Sequence, residues 1–307
     1  MRRVILDVDT GHDDAIAIAM AAGLKDRIRI EGLIATAGNQ VRENTLENTL
    51  NLAEALEIDA PVFAGSSSPL LRDRVTAGNI HGKNGFEGPV FPPRQKQQCQ
   101  GNGIRWAIDH VIANPGEITF VSVGPWTDLA VMLKSDERFA PALKEIVLMG
   151  GAVDHPGNVT ESAEFNVFAD PEAAEIVMKS GVPTTLFSLD VTLKLLLTDS
   201  VIEKVKKMEN SRYKEIFLSS MAFYTASIMK SNGEMPAMHD PCTIAYLSDP
   251  SIFTYSHRPI TVETKGGYTY GKTTGGKENP QSPVKMGVEV DNDRFWSLFF
   301  EAVRRLP

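Results

Sequence analysis

The sequence predicts an α/β protein: an open, mostly parallel, doubly wound sheet with a helical C-terminal portion. Two observations carry this. Short apolar runs such as VILDV (residues 4–8) alternate with longer segments of helical period. Those runs are apolar on both sides, as strands are in a sheet covered on both faces.

The elements follow in order. Residues 4–8 read as a buried strand and 13–24 (DDAIAIAMAAGL) as a helix. Residues 28–37 read as a strand, and in 41–56 Leu46, Leu50, Ala53 and Leu56 fall at helical spacing. Further strands are predicted at 61–64, 118–123, 145–149 and 184–189. Between the last two, Asp170 as N-cap, Pro171 in the first turn and Gly181 at the end punctuate a helix. Residues 199–230 read as largely helical and 258–290 as a hairpin region turning at Gly266-Gly267. An amphipathic helix over 291–306 carries Phe295, Phe299, Val303 and Leu306. With no repeat or linker, one domain over 1–307 is the expectation. Residues 66–102 and 231–239 are long connections, of the kind that serve as functional lids or are disordered.

Hydrophobic residues at 42% and charged residues at 23% are ordinary for a globular chain. A chain of 307 residues needs no disulfide or metal merely to fold. The net charge of −8 disfavours a nucleic-acid polymer as partner. Cys99 and Cys242 stand far apart, which excludes a thiolate zinc cluster and a disulfide scaffold. No run approaches the roughly 20 apolar residues of a membrane span, and the N-terminal run is too short for a signal peptide. A cytoplasmic location is expected.

The informative segment is Asp7-Val8-Asp9-Thr10-Gly11-His12-Asp13-Asp14. Asp7 and Asp9 share a face at the carboxyl end of the first strand, the edge where open α/β sheets bind ligands. Gly11 permits a sharp turn, and Asp13 and Asp14 open the next helix. Helix capping explains one or two acids in a first turn, not four converging. Like charges this close need a cation or raised pKa values, and a hard, oxygen-liganded ion such as calcium or magnesium fits. An EF-hand does not: position six from Asp7 is His12, and position twelve is Ile18. Asp-x-Asp after a first strand also resembles the haloacid-dehalogenase-like phosphatases, which would make Asp7 the nucleophile of a magnesium phosphohydrolase. The Asp13-Asp14 pair is no part of that pattern.

DVDTGHDDAIAIAMA closely resembles the opening of the inosine–uridine-type nucleoside hydrolases, DxDxGxDDAxA. The likeness continues. Gly38-Asn39-Gln40 resembles their next strand-end motif, and His81 in NIHGKNG is similar to the IHG of their first flexible loop. GPWTDLA (124–130) looks like GPLTNLA. IVLMGGA and GNVTESAEFNVFADPEAA resemble the central signature, and His239-Asp240-Pro241 the late HDP motif. Thr10 stands where proline is frequent, and Trp126 where leucine is usual.

The resemblance implies a Rossmann-like nucleoside hydrolase fold and a tightly bound calcium ion (Ca2+). It implies ligands from Asp9, Asp14, Asp240 and the main-chain carbonyl of Val123, with Asp7 behind them. It implies cleavage of a ribonucleoside to free base and ribose. Asp13 is then the residue that takes a proton from water, and His239 the one that protonates the leaving base. Asn39, Asn158, Glu164 and Asn166 would hold ribose hydroxyls, and His81 would touch the ligand. Met149 and Phe165 either pack on the nucleoside or belong to the core, and Tyr224 either approaches the base or is core. His12 receives no chemistry. A dimer or tetramer is expected, and base preference stays open with a lean to broad or pyrimidine use. The remaining alternative is a non-catalytic nucleoside- or ribose-binding protein, which would not need Asp13.

Overall fold

The structure is a computed structural model describing residues 1–307. Its strands are β1 (Arg2–Val8), β2 (Ile28–Ala35), β3 (Val62–Ala64), β4 (Ile118–Ser122), β5 (Glu145–Met149), β6 (Thr184–Phe187), β7 (Phe253–His257), β8 (Ile260–Val262), β9 (Thr273–Gly275) and β10 (Val284–Val290). Eight of them form one sheet in the order β3-β2-β1-β4-β5-β6-β10-β7. All neighbours are parallel except β10 and β7, which are antiparallel.

The chain runs outward from β1 through β2 to β3, then returns to lay β4 on the other side of β1. The connections leaving β1 and β4 therefore diverge, and a crevice opens at the carboxyl ends of these two strands. The acidic segment follows β1 directly into that crevice.

Alternate residues sort to opposite faces. Val4, Leu6 and Val8 join one apolar cluster with the helices His12–Gly23 and Asn292–Val303, while Ile5 joins a second with Gly103–Ala113 and Thr127–Ser135. The doubly covered sheet is thus the one expected. Asp170 caps the helix Pro171–Met178 by accepting from Ala173 N at 3.1 Å.

Two expectations change. The helical stretch 199–230 is two helices, Asp199–Lys206 and Arg212–Asn232. Ser211 caps the second by accepting from Lys214 N, which fixes the break. The region 258–290 is only partly a hairpin. β8 and β9 pair antiparallel across the turn that holds Gly266-Gly267, but β10 leaves them and enters the main sheet beside β6. The long connection 66–102 holds one short helix, Gly78–His81. It is tied down by Leu70 N donating to Asp170 (2.8 Å) and Cys99 N donating to Val62 O (2.7 Å).

Trp126, where leucine is usual, is fully buried, and its Nε1 donates to Met149 O at 3.1 Å. Trp126→Leu should therefore leave a void and one carbonyl less well paired, costing about 2–3 kcal/mol. Denaturant unfolding checks this; an unchanged midpoint would show that the indole supports nothing.

Candidate active site

Asp9, Asp13, Asp14 and Asp240 are all buried. Ligand atoms of Asp13, Asp14 and Asp240 lie within 4.8 Å of one another. Each acid comes from the junction of a strand or loop with a helix: Asp13 and Asp14 from the first turn of His12–Gly23, Asp240 from the start of Pro241–Ser248. Positive helix ends thus face the cluster.

Room for the acids comes from missing side chains. A Cβ on Gly38 would lie 2.1 Å from Asp9 Oδ2. One on Gly11 would lie 2.6 Å from His81 Nδ1 and 2.7 Å from Asn39 Nδ2. The chain bends at Gly11 as expected; φ there is −109°, so glycine is needed for the close approach rather than for a left-handed conformation.

The backbone and Asn39 hold the carboxylates in place. Asp14 accepts from Asp9 N (3.0 Å), Gly11 N (2.9 Å) and Asn39 Nδ2 (3.1 Å), and Asp9 accepts from Asn39 N (2.6 Å). Capping is therefore part of what Asp14 does. A carboxylate offers about four lone-pair positions, so room is left on it for a cation.

No cationic side chain balances this charge. Burial first, then the neighbouring carboxylates, drive Asp9 and Asp240 well above the usual carboxyl range. Burial first, then Asp14, raises Asp13 to about 8, and burial raises Asp14. Oxygen donors crowded this way fit a divalent cation, which would neutralise them together.

A cavity of about 400 Å3 opens over the cluster. Asp9, Asp13, Asn39, His81, Val123, Met149, Asn158, Glu164, Phe165, Asn166, His239 and Asp240 line it, so it gathers every residue given a ligand, substrate or proton-transfer role except Asp14, whose carboxylate lies within 4.8 Å of Asp13 and Asp240. Tyr224, Ile80 and Ile228 complete an apolar wall. The two isoleucines were not expected, because nothing in their local sequence marks them. Both long connections contribute, through 75–81 and 231–239.

Several polar residues are already engaged. Glu164 caps the helix Phe165–Ala169, accepting from Asn166 N (2.9 Å), Val167 N (3.2 Å) and Gly151 N (2.7 Å). Asn166 Nδ2 donates to Val123 O at 2.7 Å, and exposed Asn158 accepts from Phe165 N at 2.9 Å. His239 Nδ1 lies 2.8 Å from Thr192 Oγ1. Burial lowers His239 to about 4, so its ring is neutral near pH 7 and lies outside the titration range its sequence context suggested.

Residues 4–297 match the family model described as inosine-uridine preferring nucleoside hydrolase. The chain belongs to that family. A pyrimidine-specific ribonucleoside hydrolase RihB of Escherichia coli (strain SE11) is 40% identical over 307 residues, covering 99% of this chain and 97% of the relative. The solved purine-preferring ribonucleoside hydrolase from Gardnerella vaginalis superposes with TM-score 0.93 at 29% identity, covering 99% of this chain and 98% of that one. The plant nucleoside hydrolase PpNRh1 gives TM-score 0.89 at 29% identity, with 99% of each covered. Both fold and family are thus those the motifs implied. The chain is a ribonucleoside hydrolase that cleaves the N-glycosidic bond, and the phosphohydrolase and mere-binder alternatives are not favoured.

One departure within this nucleoside hydrolase shows its consequence only in three dimensions. Asp128 stands where the GPLTNLA motif has asparagine, and it is buried against Asp7. Asp7 Oδ2 accepts from Ser122 Oγ at 2.7 Å, and Asp128 Oδ1 accepts from Ser66 N at 2.7 Å. Asp7 Oδ1 and Asp128 Oδ2 have no donor. One proton shared between the two acids satisfies both. Burial first, then the Asp128 charge, raises Asp7; burial raises Asp128.

A carboxyl with a raised pKa stabilises the fold most at low pH, and that contribution is lost as pH rises through its folded value. Asp128→Asn keeps the hydrogen bond without needing the proton. The variant should therefore gain on the parent between pH 5 and pH 8, by about 1 kcal/mol or more. Thermal unfolding at both pH values reads this, and a gap that widens against the variant as pH rises would exclude the shared proton.

Proposed function

We propose that the chain cleaves ribonucleosides, pyrimidine ones foremost, with Asp13 accepting a proton from the attacking water and His239 facing the departing base. The observation that carries this is the convergence of Asp13, Asp14 and Asp240 within 4.8 Å of one another, with Asp13 and Asp240 lining a cavity that His81 and His239 also line. The preference for pyrimidines is supported by the 40% identity to a pyrimidine-specific relative over 97% of its length.

Asp9, Asp14, Asp240 and the Val123 carbonyl would hold a calcium ion, which when bound supplies positive charge that orients water and the ribose 2′,3′-diol. The protein's own groups do the rest. Breaking the C–N bond builds positive charge on the sugar, and a dry floor of carboxylates stabilises it. Without a cation, burial and Asp14 raise Asp13 to about 8, where it would keep its proton at pH 7. A cation beside it would lower that value and leave it ionised at pH 7. Asn39, Asn158, Glu164 and Asn166 would bind the ribose hydroxyls, Asn166 through its unengaged Oδ1 and Glu164 through the lone pair left on Oε1, which accepts only from Asn166 N. Met149 and Phe165 would pack on the nucleoside. Neutral His239, oriented by Thr192, would hydrogen-bond the leaving base.

The reading extends to one domain over 1–307, supported by a sheet that draws strands from both ends of the chain. It also extends to a cytoplasmic dimer or tetramer, on the family resemblance alone. No helix is long and apolar enough to cross a membrane.

Three outcomes are expected. Calcium added to chelated protein should bind more tightly at pH 8 than at pH 6 and release protons, because the acids must ionise to hold it. Calorimetry in two buffers of different ionisation enthalpy counts those protons; a count of zero would mean the acids were already charged. In a reducing-sugar assay uridine should be cleaved far better than 2′-deoxyuridine, since a site built for a hydroxyl is left unpaired without it. The Asp13→Ala variant should lose 10²–10⁴-fold in kcat. Equal use of the two nucleosides, or an active Asp13→Ala variant, would defeat the assignment.

A further inference from the structure

His12 received no role from the sequence, and the geometry points to one. Its ring is buried among aromatic side chains. Tyr224 stacks on it at 4.9 Å and 4°, Phe223 at 5.6 Å and 9°, and Phe86 meets it edge-on at 5.5 Å. His12 Nε2 lies 3.0 Å from the main-chain oxygen of Glu87. A carbonyl has no proton to give, so Nε2 carries one and donates it.

His12 Nδ1 lies 3.0 Å from Nδ1 of His81. Two bare imidazole nitrogens repel at that separation, so a proton stands between them. No carboxylate hydrogen-bonds to the His12 ring; the Glu87 carboxylate is turned to the main-chain nitrogen of Lys83 at 3.0 Å. With aromatic faces, a carbonyl and an imidazole as neighbours, nothing holds a second proton on His12. A neutral imidazole has one N–H, and that of His12 is already committed to Glu87. The proton between the rings therefore belongs to His81 Nδ1. The His12 main-chain nitrogen also approaches His81 Nδ1, but at 3.4 Å that contact is too long to compete.

His81 Nε2 is then a bare lone pair. It has no hydrogen-bond partner in the protein, and His81 lines the cavity. We propose that His12 is a positioning residue that locks His81 in its Nδ1–H tautomer. In that tautomer His81 Nε2 accepts a hydrogen bond from a donor of the bound nucleoside, either an N–H of the base or the 5′-hydroxyl. This deepens the reading of the site given above and rests on it for the identity of the ligand.

Imidazole ¹⁵N spectra of the labelled protein test the tautomer without any turnover. The chain has six histidines, and His12→Phe and His81→Asn spectra assign the two that matter. The expected parent spectrum has His81 protonated at Nδ1 and His12 at Nε2. His12→Phe preserves the stack but removes the acceptor, and should move His81 toward the Nε2–H form. His12→Asn, whose Oδ1 can replace Nδ1 as acceptor, should hold the original form. If His12→Phe does not fold, the parent and His12→Asn spectra still decide.

In kinetics kcat/KM for uridine should fall about tenfold in His12→Phe, as for one lost hydrogen bond, and recover in His12→Asn. The gap should close on 3-methyluridine if the donor is the base N–H, and on 5′-deoxyuridine if it is the 5′-hydroxyl. A parent spectrum with Nε2–H on His81, or with both nitrogens of His12 protonated, overturns the proposal. So does a His12→Phe spectrum in which His81 is unmoved. A parent inactive on every nucleoside would instead defeat the functional reading, while the ring spectra would still judge the tautomer.

Discussion

Four carboxylates held out of water with no cationic side chain beside them are the constraint on which this molecule is arranged. Asp9, Asp13, Asp14 and Asp240 repel one another in a low dielectric, and the fold must offset that. It does so with helix N-termini, main-chain N–H donors and the Asn39 amide, aimed at the acids from several directions. These donors moderate the repulsion without abolishing it. The remaining demand for positive charge is what makes the floor of the cavity chemically useful, first to a cation and then to a ribosyl group that becomes positive as its bond breaks.

The sheet topology explains why the acids meet. Reversal of strand order between β1 and β4 leaves a crevice at the carboxyl ends of these strands. Asp9 and Val123 both sit just past strand ends that border this crevice, and Met149 closes β5 one strand further on. Trp126 braces that last strand through the Met149 carbonyl, and Asn166 ties the same carbonyl to that of Val123. The acid pair Asp7 and Asp128 lies beneath, on the face where β1 meets the helix Thr127–Ser135, and adds a second buried charge problem that a single proton resolves.

Above the acids the cavity changes character. Tyr224, Phe223 and Phe86 enclose His12, and His12 in turn holds His81. In the proposed reading, the polar half of the site grips a sugar and the aromatic and imidazole half faces a base. Burial keeps both His81 and His239 neutral, so neither adds a positive charge to the cavity.

Much of this was legible in the sequence because it is local. Apolar runs set the strands, and a strand that ends in Asp-x-Asp and is followed at once by Asp-Asp at a helix start must crowd its charges wherever the chain goes. Asp240 could be added through its motif. His12 and Asp128 could not be read that way. The contact of His12 with His81 spans 69 residues, and Ser122, which fixes Asp7, lies 115 residues further along the chain from it. The break at 207–211 and the entry of β10 into the main sheet were equally hidden, since a cap and a strand neighbour are chosen by what packs beside them. The sequence by itself determined the alternating elements and the charge density of one loop, because period and composition act over a few residues. Only the tertiary structure decided which imidazole nitrogen carries a proton and which acids share one, because protonation answers to burial and to partners that folding brings from far along the chain.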